Sequence, residues 1–158
     1  LSPEIIDAYS SEKEAMYREL YKPHIKPING LIDFLAELEK EKIPKAIATS
    51  GLSTNINFMF EHVPIKKYYS HVIDASQVKN GKPHPEIFLK AATSVNANPK
   101  NCIAFEDSIT GIRSAKAACM KVVGLTTTHT AEEIKEADLI IKDYAEISLT
   151  KLRELQPV

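Results

Sequence analysis

The chain of 158 residues is long enough for one domain with a single hydrophobic core. Its hydrophobic residues (44%) and charged residues (26%) fall in the ordinary range of soluble globular proteins. Because 20 basic residues nearly balance 21 acidic ones, the composition argues against a nucleic-acid-binding or anionic-membrane-binding surface. No apolar run approaches the roughly 20 residues needed to span a bilayer, so we expect no membrane partner.

The cysteines and the first residues indicate a cytoplasmic protein and a sequence cut from something longer. Cys102 and Cys119 lie in apolar stretches, and we expect buried free thiols of a reducing cytosol rather than a disulfide. Residues 1–5 begin without a start methionine and lack the features of a signal peptide. We therefore interpret the sequence as part of a longer chain.

The first residues read as two helices joined by a linker. Ser2 and Pro3 are typical of a helix start, and the charged sequence behind them predicts a helix over 3–21. Two prolines within residues 22–29 predict an extended linker, since the residue before a proline avoids the helical conformation. A second helix is predicted over 30–42, with one apolar face made of Leu31, Phe34, Leu35 and Leu38.

From residue 45 onward, short apolar strands alternate with helices. Strands are predicted at 45–48, 71–74, 102–105, 121–125 and 139–141. Helices are predicted at 53–62, at 85–95, behind Ser108, behind a capping box of Thr130 and Glu133, and at 147–155. The alternation predicts an α/β fold, a Rossmann-like parallel sheet with helices on both faces. Such sheets bind ligands beyond the carboxyl ends of their strands.

A hydroxyl-rich turn follows the first of these strands. Thr49, Ser50 and Gly51 stand between a predicted strand and a predicted helix. A hydroxyl, exposed N–H groups and the positive end of the helix dipole together suit a bound anion such as phosphate. The same residues would also suit an ordinary strand-to-helix turn with a capping hydroxyl.

A lysine lies in a stiff loop with two prolines, Gly81-Lys82-Pro83-His84-Pro85-Glu86. Ordering a lysine costs side-chain entropy, and a fixed ammonium is useful where negative charge gathers on a phosphoryl group. We therefore favour Lys82 as a phosphate-binding residue. His84 could ligate a metal or carry a proton, but a structural role at the start of a helix is the favoured interpretation.

Two adjacent carboxylates, Glu106 and Asp107, follow the strand predicted at 102–105. Their mutual repulsion is relieved by a cation, and hard oxygen ligands without neighbouring histidine or thiolate favour Mg²⁺ over zinc. Both side chains can reach one metal only where the strand ends, and Ser108 with the helix behind it supplies that end. A plain acidic turn would show the same residues.

In this order, the three clusters resemble the second, third and fourth motifs of the haloacid dehalogenase superfamily: Thr49, then Lys82, then Glu106 with Asp107. The sequences AIATSG, GKPHPEIF and FEDSITGIRSAKAA are similar to the subgroup that contains beta-phosphoglucomutases and small sugar-phosphate or phosphoglycolate phosphatases. The resemblance extends over nearly the whole chain.

The first helix, SEKEAMYREL, resembles the last helix of that subgroup's small helical cap domain. The resemblance therefore implies two parts: residues 1–25, which are the last cap helix and its linker, and residues 26–158, the phosphoryl-transfer core. Lys13 falls where the beta-phosphoglucomutase cap presents a lysine to the substrate phosphate, and similar lysines occur in phosphatases.

In that family a carboxylate attacks the phosphoryl group and forms an aspartyl-phosphate, which divides one difficult displacement into two easier ones. The resemblance implies that the Thr49-Ser50-Gly51 turn and Lys82 hold the phosphoryl oxygens, with Lys82 also neutralising the nucleophile. It implies that Glu106 and Asp107 hold Mg²⁺ directly or through water. The implied activity is that of a Mg²⁺-dependent phosphatase acting on a small sugar phosphate, with most of the rate coming from positioning and electrostatics.

The family's first motif, Asp-x-Asp at the end of the first strand, is absent from the sequence. Its first aspartate is the nucleophile and its second is the general acid/base. Asp7 and Asp33 lie in predicted helices and cannot replace them. In the family the missing strand lies between those at 45–49 and 102–106, and its absence would leave backbone groups unpaired at a cost of about 1–3 kcal/mol each. We therefore expect the C-terminal part of a longer enzyme, inactive by itself, with the N-terminal fragment of the same protein as its partner.

Three alternatives compete with a phosphatase. A beta-phosphoglucomutase differs only in passing the phosphoryl group to a second sugar hydroxyl, and Lys13 favours it weakly. A non-catalytic module would bind phosphate or Mg²⁺ without turnover. A signalling receiver domain also combines an acidic pair, a hydroxyl and a lysine, but there the acidic pair comes first, which is the reverse of the order in this chain.

Overall fold

The computed structural model describes residues 2–155. Its α-helices are α1 (Pro3–Tyr21), α2 (Leu31–Lys40), α3 (Ser53–His62), α4 (Glu86–Ser94), α5 (Ile109–Ala117) and α6 (Leu149–Leu155). Its strands are β1 (Ala46–Ala48), β2 (His71–Ile73), β3 (Ile103–Glu106), β4 (Lys121–Leu125) and β5 (Leu139–Ile141). Within residues 2–155 no helix combines the length and the hydropathy that crossing a membrane requires.

The strands form two parallel sheets. In the first sheet β1 pairs with β2, and Ala46 lies opposite His71. In the second sheet β4 lies between β3 and β5, so Ile103 faces Lys121 and Val123 faces Leu139. Parallel pairing confirms the predicted fold class. The single sheet that we expected is divided in two because β1 and β3 do not pair with each other.

Helices cover both faces of these sheets, as parallel strands require. Val122 and Val123 are both fully buried, and they belong to different core clusters because successive side chains of a strand point to opposite faces. On one face α4 and α5 contribute Ile87, Phe88, Ala91, Ala92, Ile112 and Ala115. On the other face α2 and α6 contribute Phe34, Leu35, Leu38 and Leu152.

An apolar groove of about 580 Å³ separates the two sheets, between β1 and β3. Side chains of α2, α4 and α6 line it, together with an aromatic cluster whose ring centroids lie 5.5–5.6 Å apart, made of Phe34, Phe105 and Tyr144. Burial raises the pKa of the Tyr144 phenol, and the charges of Tyr69 and Asp107 add to the effect. The two sheets are therefore separated by an apolar gap with helices on either side.

Helix α1 lies outside both cores, whose described members include none of its side chains. It contacts α3 through a polar clasp: Arg18 donates to Asn55 Oδ1 at 2.8 Å, and Asn55 Nδ2 donates to Glu14 Oε2 at 2.6 Å. Its large exposed apolar side chains are Ile5, Tyr9, Met16, Tyr17, Leu20 and Tyr21. The division of the chain at residue 25 stays a prediction.

The helix predicted behind Thr130 is wrong. The capping box itself forms, since Thr130 N donates to Glu133 Oε2 at 2.8 Å, but residues 131–136 are turns and residues 137–138 a bend. Within this short segment the chain buries the Ile134 side chain in the core. It must then bring Asp138 next to β4, where the Asp138 carboxylate accepts a bond from Val122 N at 2.8 Å. Tertiary pairing with β4 therefore overrides the local helix signal.

Both cysteines are free thiols, which agrees with the expectation that they form no disulfide. Burial raises the pKa of the half-buried Cys102 thiol. Cys119 is exposed, so the prediction of a buried thiol is wrong at this position. It follows the end of α5 in the left-handed conformation, at φ 63°, where the chain turns outward before β4.

Candidate active site

One polar pocket lies at the carboxyl ends of β1 and β3. The structure brings into its wall every core residue that the sequence indicated for phosphate or metal binding: Thr49, Ser50, Gly51, Lys82, Glu106 and Asp107. Ile28, Phe105, Thr127 and Tyr144 are among the other residues that line it. These residues come from three separate segments: the turn after β1, the loop before α4 and the end of β3.

The turn after β1 offers two free donors. Thr49 N donates to Ile73 O at 2.9 Å, which ties the turn to β2, and Gly51 N donates to Thr49 Oγ1 at 3.0 Å. The Thr49 hydroxyl accepts that bond, and neither its own proton nor the N–H of Ser50 has an acceptor among residues 2–155. With α3 starting at Ser53, this turn can donate to the oxygens of a bound anion.

The Lys82 ammonium reaches the pocket from the loop before α4. Its side chain is only 11% exposed, and its Nζ donates to Glu106 Oε1 and lies 3.5 Å from Ala48 O. It also lies 5.0 Å from the centre of the Phe88 ring, within cation–π range. The Lys82–Pro83 peptide bond is cis. These contacts hold a positive charge between the ends of β1 and β3.

Glu86 clamps the loop that carries Lys82. Its carboxylate accepts bonds from Lys79 N and Asn80 N, both at 3.0 Å. These two backbone bonds, with a smaller contribution from Lys90, lower the pKa of Glu86 to about 2. A carboxylate at the start of α4 therefore fixes the backbone just ahead of Lys82.

His84 serves the same loop in a structural role. Its Nδ1 accepts a bond from Glu86 N at 3.2 Å, and its carbonyl accepts a bond from the fully buried Ser114 hydroxyl at 2.7 Å. His84 is not among the residues that line the pocket. The geometry therefore supports the structural interpretation over a metal or proton-transfer role.

The Glu106 carboxylate is almost completely engaged by the protein. Its Oε1 accepts from Lys82, and its Oε2 accepts from Asp107 N at 3.1 Å and from Ser108 N and Oγ at 3.1 and 3.0 Å. It is 9% exposed and lies directly against Gly111 of α5. Glu106 thus anchors both the ammonium and the start of α5, and its predicted role as a metal ligand stays a prediction.

The Asp107 carboxylate has different partners. Its Oδ2 lies 3.1 Å from Thr127 Oγ1 and 3.2 Å from Thr128 Oγ1, and Oδ1 has no donor within the described part of the chain. The donors are neutral hydroxyls, so the negative charge of Asp107 is not balanced by a cationic side chain. A hard, charged oxygen that lines the pocket fits Mg²⁺, which is usually bound by one or two carboxylates with phosphate and water.

Residues 2–155 contain no cluster of three or more histidine, cysteine or acidic side chains that could hold a metal ion. Glu106 and Asp107 could therefore supply part of a Mg²⁺ site, with the remaining ligands coming from a substrate phosphate, water or another segment of protein.

Lys13 does not line this pocket. Its side chain is 73% exposed and pairs with Glu14 at 2.9 Å. It borders a neighbouring cavity between α1 and α3 that shares Ile28 and Gly51 with the pocket. Its role toward a substrate stays a prediction.

Sequence reasoning missed the segment after β4, where Thr127, Thr128 and His129 all contact Asp107. A signal was present: these polar residues follow the strand predicted at 121–125, at the same sheet edge as the other clusters. Glu86 was also missed, because its clamp depends on the path of the loop rather than on a strand end.

The sequence matches the model of the haloacid dehalogenase-like hydrolase family over residues 3–125, well over half of the chain. The chain belongs to the haloacid dehalogenase-like hydrolases. The resemblance drawn from the three motifs is confirmed, and the relatives include both phosphatases and a beta-phosphoglucomutase.

Among the relatives of this haloacid dehalogenase-like chain is validoxylamine A 7'-phosphate phosphatase of Streptomyces hygroscopicus subsp. limoneus. It is 35% identical over 120 residues, which cover 76% of this chain and 56% of that protein. The beta-phosphoglucomutase of Bacillus subtilis is 30% identical over 125 residues, covering 79% of this chain and 53% of that protein. The chain thus spans about half the length of the curated relatives that it matches.

A solved structure of similar fold is the HAD hydrolase, family IA, variant 3, from Entamoeba histolytica. It superposes with a TM-score of 0.89 at 32% identity, over 98% of this chain and 72% of that chain. This match confirms the α/β fold class of the haloacid dehalogenase-like family.

Proposed function

We propose that this chain forms the phosphate-binding and cation-binding part of a Mg²⁺-dependent phosphatase. The proposed substrate is a small phosphorylated metabolite, and we favour a sugar phosphate. One observation carries the proposal. Thr49, Lys82 and the adjacent pair Glu106 and Asp107 come from three distant parts of the sequence and line a single pocket at the carboxyl ends of strands. The phosphatase relatives support hydrolysis as the reaction.

The roles follow from the donors and charges on this chain. The free proton of Thr49 and the N–H of Ser50 bind two phosphoryl oxygens. The Lys82 ammonium, held by Glu106, stabilises the negative charge that develops during transfer. Mg²⁺, when bound beside Asp107, would supply further positive charge at the phosphoryl oxygens. Because these groups are already fixed, little reorganisation is needed when the substrate arrives.

The sequence of this chain contains no Asp-x-Asp, so the proposal needs a nucleophile from another segment. We propose that it lies on an extended segment seated in the groove between β1 and β3, from the N-terminal part of the same protein. An apolar strand would fill the groove and pair with both sheets, and its carboxyl end would emerge beside Lys82. The phosphoryl group would pass through an aspartyl-phosphate on that segment.

The test is the hydrolysis of a panel of small sugar phosphates by the full-length gene product, with and without Mg²⁺. We expect EDTA to abolish activity and added Mg²⁺ to restore it. Lys82→Ala or Asp107→Ala should lower turnover by at least about 100-fold, since each removes charge stabilisation of the transition state. Lys135→Ala, which changes an ammonium on a side chain that is 69% exposed, is the matched control and should retain full activity.

Near-normal turnover in either site variant would overturn the assignment of the site. A full-length protein that binds phosphate or Mg²⁺ but turns over no substrate would show a non-catalytic module instead. Intact mass spectrometry of the purified material tests the composition of the enzyme: a second polypeptide bearing Asp-x-Asp should co-purify if the chain has been cleaved.

A phosphomutase is the second candidate, favoured by the similarity to the Bacillus subtilis beta-phosphoglucomutase. It differs in the acceptor, which is a sugar hydroxyl instead of water. Conversion of beta-glucose 1-phosphate to glucose 6-phosphate, without net release of phosphate, would decide for the mutase. Release of inorganic phosphate would decide for the phosphatase.

A further inference from the structure

The two acidic residues at the end of β3 carry different sets of hydrogen-bond donors. Glu106 is paired with the Lys82 ammonium and accepts bonds from N–H groups at the start of α5, so its negative charge is already balanced within the protein. Asp107 accepts from the hydroxyls of Thr127 and Thr128, which carry no charge. Of the pair, Asp107 alone keeps an uncompensated negative charge and a carboxylate oxygen with no donor in residues 2–155.

Thr128 has only one hydroxyl proton to give, so whether it bonds to the Asp107 carboxylate depends on the tautomer of His129. Its Oγ1 lies 2.9 Å from Asp107 O, 3.2 Å from Asp107 Oδ2 and 2.9 Å from His129 Nδ1. His129 Nδ1 also lies 2.9 Å from Asp107 O. If His129 carries its proton on Nδ1, it donates to the carbonyl and leaves the Thr128 proton for the carboxylate. Both hydroxyl protons then bond to Oδ2, and Oδ1 keeps its lone pairs free of any donor among residues 2–155.

We propose that Thr127 and Thr128, with His129 behind them, are positioning residues that orient Asp107 toward the cation. Two donors on Oδ2 fix the plane of the carboxylate and direct the lone pairs of Oδ1 to a metal. Because these donors are neutral, they leave the negative charge of Asp107 available to attract the metal. The proposal rests on the proposed function, since it presumes that Asp107 is a cation ligand.

The test is Mn²⁺ binding to the metal-free full-length protein, followed by the electron paramagnetic resonance signal of free Mn²⁺. Thr127→Val and Thr128→Val keep the shape of the side chain and remove the hydroxyl. Outer-shell partners of this kind are worth about 10–100-fold in metal affinity, so the double valine variant should bind Mn²⁺ at least about 10-fold more weakly. Serine at both positions should restore affinity. Thr93→Val, which removes a hydroxyl from α4, should bind like the wild type.

A purely structural role is separated by repeating the valine substitutions in an Asp107→Asn background. If the hydroxyls act through the Asp107 carboxylate, they add no further loss there; if they only hold the loop, the losses add. Full Mn²⁺ affinity in the double valine variant, or additive losses, would overturn the inference.

The outcome also distinguishes this inference from the proposed function. A wild-type protein that binds no Mn²⁺, or binds it equally well after Asp107→Asn, removes the cation site and the inference together. Binding that needs Asp107 but not the hydroxyls removes the inference alone. Thermal unfolding of each variant shows whether it is folded, and the single Thr127→Val and Thr128→Val variants carry the test if the double variant is not.

Discussion

At the scale of single residues, Gly111 shows how closely the Glu106 anchor is packed. A Cβ at this position would overlap the Glu106 carboxyl group. Gly111 is the third residue of α5, where exchange of glycine for alanine ordinarily stabilises a helix by up to about 1 kcal/mol. Here the helix gains nothing unless Glu106 moves, and Glu106 holds both Lys82 and the start of α5.

We therefore expect Gly111→Ala to lower the free energy of unfolding by about 1–3 kcal/mol, because buried polar groups around Glu106 lose their partners. Urea denaturation measures the change. Gly81→Ala is the matched control, because nothing lies within 4 Å of the Cβ it would add. The control should be neutral or slightly stabilising, by up to about 1 kcal/mol. A Gly111→Ala protein as stable as the wild type would contradict the anchor.

The residues of the site were predictable to the extent that strand ends were recognisable. Thr49 and Asp107 follow apolar strands, so the topology of a parallel sheet places them at one edge. Their finer roles were not predictable. That Glu106 pairs with Lys82 while Asp107 faces hydroxyls depends on rotamers and on the path of the loop after β4, which the order of residues does not encode.

At the scale of elements, the loop between β2 and α4 depends on one carboxylate. Glu86 has its pKa lowered from 4.5 to about 2 by bonds from Lys79 N and Asn80 N. The charged form is favoured by folding, so this clamp contributes stability that is present above about pH 4.5. That contribution is lost as the pH falls toward 2.

We expect Glu86→Gln to lower the thermal midpoint at pH 7 and to flatten its decline between about pH 4.5 and 2, since the variant has no charge to lose. Thermal unfolding across this pH range measures both effects. Glu132→Gln, at a side chain that is 80% exposed, is the control and should follow the wild-type curve. Parallel curves for Glu86→Gln and the wild type would show that the clamp contributes no stability.

Most of the helices and strands could be predicted from the sequence. The helix at Ser53–His62 and the strand at Lys121–Leu125 have the bounds that hydrophobic periodicity predicted. The structure of the segment after Thr130 could not be predicted from the sequence. Its capping box forms, but the pairing of Asp138 with β4 prevents the helix that the capping box indicates. Local sequence signals thus predicted the wrong secondary structure where contacts with a distant strand determine the path of the chain.

At the scale of the whole molecule, β1 and β3 do not pair with each other, and each presents one edge to the groove. Thr49 N bonds to β2, and Cys102 O accepts from Lys121 N of β4. Because alternate residues of a strand direct their backbone groups to opposite sides, the neighbours of these residues face the groove: Ala46 and Ala48 on β1, Ile103 and Phe105 on β3. Ala48 O, which lies 3.5 Å from the Lys82 ammonium, agrees with this assignment.

Hydrogen exchange read by NMR tests the assignment residue by residue. In the 158-residue chain we expect the groove-facing amides of Ala48 and Phe105 to exchange faster than those of Thr49 and Ala104, which face paired strands. In the full-length gene product a strand seated in the groove should protect all four, since each would then have a partner. Slow exchange of Ala48 and Phe105 in the short chain would mean that the groove closes on itself, and the proposed docking of an extended segment would fail.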